Sequence, residues 1–531
     1  DLLIIIMDSN RYHSLDAMRG ILMIMGVYFH LAIPYAENGV HVLWPFIGLT
    51  HSFRMHAFFF ISGFFGALIL YRKGSKEMLQ NRFKRVFLPL IVLAPPVCFL
   101  SAIGSKYVQS ILNNDKSFMD GLAKVFDSPL EYSLYGTEHL WFLHLLFAMS
   151  ILGYIMSKGL ELNVDILKRL FGSLFKNSWL GFLVVCFLYA FLLSLLNIHK
   201  AQTGKIYDWF WFVHPSALKG FVAFSFFYFW GWQAYHFKDQ LGNISLRTYF
   251  KIYVAYAVVV WLLVWSLFQT GYSSPYWYWN DFFHENISAK KVTFIVDMSD
   301  EVVIKGEGDS SAVYVNVSPW EKPQGFKMDP IGNGQWSYTM ELWPGAYSYK
   351  FRNGLYNDWS DAGWENWERI GDGGCGYGKD NNRRFFLDDE DLTLGIFCWS
   401  ECMDCSDNEV PLAFYQNNPL ETKNNLIRRC FIFLNNFAVP MWIMLTMALF
   451  VRFYNKFSKT LKYISDSSYW IYIIHPILIP FIGSVFYYDK INVHIQFFLS
   501  SILLTIACFL SYHYLVRKTF IGKFLNGKKV Q

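Results

Sequence analysis

Ten apolar runs, each close to the ~20 residues that carry a helix across a bilayer, constrain this chain more than any other feature. Inside lipid every backbone N–H and C=O must be satisfied by the segment itself, so runs of that length fold as helices that pack on one another. The pattern predicts helices at about 15–36, 43–71, 86–104, 138–157, 178–197, 217–235, 250–269, 430–452, 468–487 and 493–516. Of 531 residues 54% are hydrophobic and only 16% charged, which excludes a soluble protein of this size. The first run carries Asp16, Arg19 and His30 and is followed by further spans, which argues against a cleaved signal peptide; the residues before Met7 read as an N-terminal extension. Basic clusters fall on alternate connections (Arg72 to Arg85, Lys158 to Arg169, Lys238 to Lys251, Arg452 to Lys462, Arg517 to Lys529) and place those connections and both termini at the cytoplasmic face; Arg428 and Arg429 break the pattern. The expected class is a polytopic α-helical protein of the inner (plasma) membrane.

Between the seventh and eighth helices the composition changes. Residues 285–421 hold 24 acidic and 11 basic side chains, so this stretch carries about −13 while the remainder carries about +18. Short alternating runs at Val292–Met298, Ala312–Val317, Gln335–Leu342 and Tyr347–Arg352, with Trp343-Pro344-Gly345-Ala346 as a hairpin turn, predict a small β-sandwich. The expected division is a membrane part at 1–275, an extracytoplasmic insert at 285–421 and a second membrane part at 426–531. Cys98, Cys186, Cys430 and Cys508 lie in or beside apolar spans, whereas Cys375, Cys398, Cys402 and Cys405 crowd the end of the insert. Cys402 and Cys405 lack a second close pair of the kind a zinc site uses, so two disulfides of open connectivity are expected rather than a metal.

Arg19 and His30 share the first apolar run. Eleven residues at about 100° and 1.5 Å each put both on one helix face about 16 Å apart, a polar stripe that runs from one membrane surface towards the middle. Ionisable groups in lipid are costly and mark pathways or reaction centres. On the second helix His51, Arg54, Phe58 and Ser62 follow helical spacing, so a second polar stripe is available to face the first. His475, followed by Pro476, lies in the ninth helix, where proline frees a backbone carbonyl.

The order of motifs resembles the acyltransferase-3 family of integral membrane O-acyltransferases. Arg11 to His30, with Leu15-Asp16, Arg19-Gly20 and ten residues between arginine and histidine, resembles its opening signature. His51-Ser52-Phe53-Arg54-Met55 with Phe58 to Phe64 resembles the second-helix motif, Asn81-Arg82-Phe83-Lys84-Arg85 with Pro89 the basic cytoplasmic turn, His139-Leu140-Trp141-Phe142-Leu143 the fourth-helix start, and Ser468 to His475 the late motif. The nearest branch is the glucan-biosynthesis protein C type; the large insert departs from the usual family pattern.

The resemblance implies transfer of an acyl group from cytoplasmic acyl-CoA, acetyl or succinyl, to a hydroxyl of a glycan, with no tightly bound cofactor and no metal. An imidazole in an apolar site is kept in its neutral form, able to take a hydroxyl proton near pH 7, which assigns His30 as general base or, alternatively, as a transient acyl carrier. Arg19 would bind a CoA phosphate or the thioester carbonyl, with Asp16 holding its guanidinium. Arg54, Ser62, Arg82, Arg85, His139, Trp141 and His475 are the expected substrate-binding set, with Arg82 and Arg85 clasping CoA phosphates.

The insert resembles the starch- and glycogen-binding type of immunoglobulin-like module, through Val292 to Met298, Gly334-Gln335-Trp336, Trp343 to Phe351 and Asn353-Gly354. That implies non-catalytic sugar binding by aromatic stacking, for which Trp320, Lys350, Trp364 and Trp367 are the candidates. Two other classes compete. A glycan or small-acid transporter with a sugar-binding external domain would show paired inverted repeats, which this sequence lacks. A glycan receptor with an inert anchor would not need Arg19, His30, Arg54 and His475 in lipid. The basic residues are flanks of spans rather than a patch interleaved with aromatics, so no nucleic-acid partner is expected.

Overall fold

A computed structural model describes residues 12–37, 40–112, 118–134, 136–159, 179–196, 209–269, 289–318, 322–342, 345–377, 380–387, 390–406, 408, 419–483 and 492–526. The chain divides into two compact units, Asp1–Tyr256 with Phe431–Gln531, and Ala257–Cys430.

Helices lie at each of the ten predicted places: α1 His13–Glu37, α2 Trp44–Lys73, α3 Leu88–Leu112, α4 Trp141–Gly159, α5 Trp179–Leu195, α6 Pro215–Ala234, α7 Leu246–Gln269, α8 Pro419–Phe453, α9 Lys459–Gly483 and α10 Val493–Ser511. Among the described residues, seven helical stretches are long and apolar enough to cross a membrane. α5, at 17 residues, is apolar but shorter. The expected basic turn between α2 and α3 is helical instead. Gly74, at φ +93°, ends α2 in a conformation that only glycine adopts without strain. The chain then re-enters helix at Ser75–Arg82 and passes through a π-turn, Phe83–Phe87, into α3. The helix runs on through Pro89, which follows directly on the π-turn, the kind of local irregularity that accommodates a missing N–H inside a helix.

The tightest crossing is between α2 and α6. A Cβ on Gly63 would overlap the Tyr228 carbonyl, and one on Gly231 would overlap the Phe60 carbonyl. Each helix thus offers a glycine to the other's backbone, the small-residue device that brings helices together where lipid gives no hydrophobic drive. The obstacles are carbonyls rather than flexible side chains, so Gly63→Ala must push the helices apart. We expect it to cost about 1–3 kcal/mol, read as a smaller monodisperse fraction and a lower melting temperature of the detergent-extracted protein, with Gly48→Ala, whose Cβ would meet nothing within 4 Å, as a control in the same helix.

α1 and α9 pack side by side and parallel: Arg19 meets Ser465, and eleven residues on His30 meets His475. Gly20 permits the approach, since its Cβ would lie only 3.0 Å from the Ile464 side chain and 3.1 Å from the Ser465 nitrogen. α10 is joined to α1 by Tyr28 with Thr505 and Tyr35 with Ser500, both at 2.8 Å.

The second unit holds two sheets. One has the order β4-β5-β1-β9, with β1 Lys290–Asp297, β4 Asp329–Gly332, β5 Gln335–Leu342 and β9 Leu392–Cys398; the other has the order β3-β2-β6-β8-β7, with β2 Val313–Val317, β3 Phe326–Lys327, β6 Gly345–Asn353, β7 Gly376–Tyr377 and β8 Asn382–Leu387. Val292, Phe294 and Val296 of the first sheet share one buried core with Val313, Val315, Tyr349, Phe351 and Phe385 of the second. The four predicted strands are present, but the expected hairpin is not. β5 pairs with β1 and β4, whereas β6 pairs with β2 and β8, so the connection passes from one sheet to the other. Both strands turn apolar residues towards the same core, which stacks them face to face instead of edge to edge.

Arg383 and Glu365 form a buried ion pair at 2.6 Å. Glu365 also accepts the Phe351 N–H at 2.9 Å, and Arg383 donates to the Glu401 carbonyl at 2.9 Å. Burial works against the Arg383 charge, but Glu365 more than offsets it and lifts its pKa above the ordinary value. The four insert cysteines pair as Cys375–Cys402 and Cys398–Cys405.

Candidate active site

The stripe predicted on α1 resolves into two stations along α9. At the first, Arg19 donates to the Ser465 hydroxyl at 2.8 Å and lies 3.5 Å from Asp16. At the second, a small cavity of about 20 Å³ is lined by His30, Gly26 and Met23 of α1, Arg54, Met55 and Phe58 of α2, Phe142 of α4, and Tyr472 and His475 of α9. That volume admits about one water molecule.

Three imidazoles step through this region. The His30 and His475 ring centroids are 5.2 Å apart, and those of His475 and His139 are 5.5 Å apart. Tyr472 donates its hydroxyl hydrogen to the His139 carbonyl, which ties the start of α4 to α9. His475 is 2% exposed; its Nδ1 faces the Ile471 carbonyl at 2.9 Å, and its Nε2 meets no partner among the described residues.

Arg54 is buried at 8% exposure, and no carboxylate pairs with it among the described residues. Its guanidinium lies 4.9 Å from the Phe29 ring centroid and occupies the space a Cβ on Gly26 would need. Phe29 in turn stacks on His51 at 5.6 Å. Gly26 therefore makes room for a cation beside His30, four residues on along the same helix face.

The remaining candidates stand elsewhere. Arg82 donates to the Ser62 carbonyl at 2.9 Å, so these two meet each other through the α2 backbone rather than in the cavity. Arg85 donates to the Lys523 and Phe524 carbonyls of the short helix Phe520–Asn526, both at 3.3 Å. The two arginines thus bond to carbonyls of different helices. Trp141 is buried between Phe224, at 5.4 Å, and Phe59, at 6.4 Å. Gly26 and Tyr472 were not anticipated. Their signals were positional: Gly26 is four residues before His30, and Tyr472 is three before His475.

The insert carries a separate open cleft of about 650 Å³, lined by Lys350, Trp359, Asp361, Trp364, Trp367, Asp380 and Asn382. Trp359 and Trp364 are nearly parallel, with centroids 6.4 Å apart, and Trp359 and Trp367 are about half exposed. Arg352 fixes this loop from beneath. It donates to the carbonyls of Pro323, Asp358, Ser360 and Ala362 at 2.8–3.1 Å and lies 4.3 Å from the Trp364 ring centroid. Burial pulls Lys350 below its ordinary pKa, against the opposing charges of Glu365 and Asp380. Trp359 was missed because its loop reads as featureless; Trp320 lies outside the described residues.

A family model described as an acyltransferase domain matches residues 12–289, just over half of the chain. The chain belongs to the acyltransferase-3 family. It is also 30% identical over 171 residues to proteins named glucans biosynthesis protein C from Escherichia coli strains SMS-3-5 / SECEC, O1:K1 / APEC and K12 / DH10B. That alignment takes in 30% of this chain and 42% of each relative, so the match spans less than half of the relatives' length. No solved structure matches the chain significantly. The acyltransferase-3 match includes α1, α2 and α4, and with them every cavity residue except Tyr472 and His475, which α9 supplies from beyond the insert.

Proposed function

We propose that this protein is a ten-span membrane O-acyltransferase that moves an acyl group, acetyl or succinyl, from cytoplasmic acyl-CoA to a hydroxyl of an extracytoplasmic glycan or glucan. The observation that carries the reading is the meeting, in one cavity of an acyltransferase-3 chain, of two imidazoles and an arginine that pairs with no carboxylate among the described residues. A thioester carbonyl gains negative charge as it is attacked, and a preorganised guanidinium such as that of Arg54 stabilises this charge most where water is excluded. His30 acts on the reacting groups as base or transient acyl carrier. Arg19, steadied by Asp16 and Ser465, serves the donor at the cytoplasmic end, and His139 lies towards the acceptor. Arg82 and Arg85 each retain N–H donors for CoA phosphates beyond those used on backbone carbonyls.

The insert completes the reading as an immunoglobulin-like module outside the inner membrane that holds the glucan. Its two sheets around one core and its tryptophan-lined cleft support that role, with Trp359, Trp364 and Trp367 as stacking faces and Lys350 and Asn382 as hydroxyl partners.

Mass comparison of envelope glycans tests the whole. Cells that express the native chain should carry ester-modified glycan that cells without it lack. Removal of residues 290–405 should change which glycans are modified rather than abolish modification. Identical glycan masses with and without the native chain would remove the transferase reading.

A further inference from the structure

We infer that His475 takes the proton from the acceptor hydroxyl, and that His30 is therefore left to the donor side of the reaction. The inference rests on the acyl-transfer reading above and deepens it.

The two rings are not equivalent. A carbonyl oxygen only accepts, so the 2.9 Å contact between His475 Nδ1 and the Ile471 carbonyl places the ring's proton on Nδ1. In the neutral ring the lone pair is then at Nε2, and that nitrogen is buried, without a hydrogen-bond partner among the described residues, in a residue that lines the cavity. A carbonyl behind Nδ1 is also what a base requires, because it orients the ring and strengthens its bond as Nε2 gains positive charge. His30 has no such support: among the described residues its ring contacts are the Phe29 and His475 rings, and no hydrogen bond fixes its tautomer. The position suits the task as well, since His475 lies between His30 and His139, 5.2 and 5.5 Å from each.

The step balances. The acceptor O–H bond breaks and its proton goes to Nε2 of His475. The oxygen's electron pair forms the ester bond to the acyl carbon, the bond from that carbon to its carrier breaks, and the departing group, a thiolate when the carrier is the thioester itself, regains a proton from His475.

The test uses the full chain in lipid nanodiscs, with acetyl-CoA and succinyl-CoA as donor probes and soluble glucan oligosaccharides of α and β linkage as acceptors. His475→Ala is expected to lower ester formation by about 10²–10⁴-fold, the range of a general base. Added imidazole should restore about tenfold or more of that loss, whereas pyrazole, of the same shape but a far weaker base, should restore none. His475→Gln fills the space without accepting a proton and should be as slow as His475→Ala. Near-native rates in His475→Gln overturn the inference, as does a His475→Ala loss that imidazole leaves unchanged or that pyrazole repairs equally. Should His475→Ala not stay monodisperse, His475→Gln decides alone: loss with native size and retained donor binding supports the inference, and retained activity overturns it. A native chain inert with both thioesters and every glucan would instead overturn the acyl-transfer reading, and this inference with it.

Discussion

His30→Ala should reduce ester on envelope glycans by about 10²–10⁴-fold, or about 3–5 kcal/mol of transition-state stabilisation, with little change in the amount of folded protein. The two halves of that expectation come from different features. The chemical half follows from the ring's place in the cavity, 5.2 Å from His475 and beside Arg54. The stability half follows from what the ring does not do: among the described residues it meets neighbouring rings and no hydrogen-bond partner, so its loss strands no buried donor or acceptor. Glycan mass spectrometry at matched membrane levels of the two proteins measures the first half, and size-exclusion profile and melting temperature measure the second. Unchanged esterification at equal level would turn attention to a transporter.

Arg54→Leu should lower ester formation by about 10²–10³-fold, the cost of removing one donor from a developing oxyanion, and should leave the protein as stable as before or more so. A buried cation without a carboxylate partner is expensive to hold in an apolar setting, and its replacement by a well-packed hydrophobe is often neutral or favourable. Arg54 satisfies both conditions: it is buried, and among the described residues it meets the Phe29 face, Met55 and Gly26 rather than a carboxylate. Opposite signs for activity and stability are the diagnostic, read by donor turnover and by thermal melting of the same preparation. A melting temperature that falls together with activity would mark Arg54 as structural glue.

Much of the membrane part was legible because the signal is physical and strong. A run of about 20 apolar residues has few alternatives to a helix, and each predicted helix is found in place. Helical periodicity also put Arg19 and His30 on one helix face, and the structure sets both against α9, which the periodicity did not point to. Partner choice in three dimensions was not legible. Nothing local says that Arg82 turns to the Ser62 carbonyl or that Arg85 reaches a helix more than four hundred residues later. Glycine roles were hidden for the same reason, because Gly26 matters through the side chain that fills its missing Cβ and Gly63 through a carbonyl on another helix. In the insert, alternation located strands but not their sheets. A short link between two strands reads as a hairpin unless one knows which face each must bury, and β5 and β6 bury theirs against a common core.

The bond from Arg19 to Ser465 closes a separation of 446 residues, and His475 joins its cavity from equally far along the chain. The timing of synthesis follows from that. A nascent polypeptide can insert its first seven helices and form its disulfide-bearing insert while the reaction chamber still lacks a wall. The cavity closes only when α9 emerges and slots in beside α1. Any ribosome that stops before that moment leaves a membrane-embedded fragment that lacks Ser465 and His475, and with them the partners of Arg19 and His30.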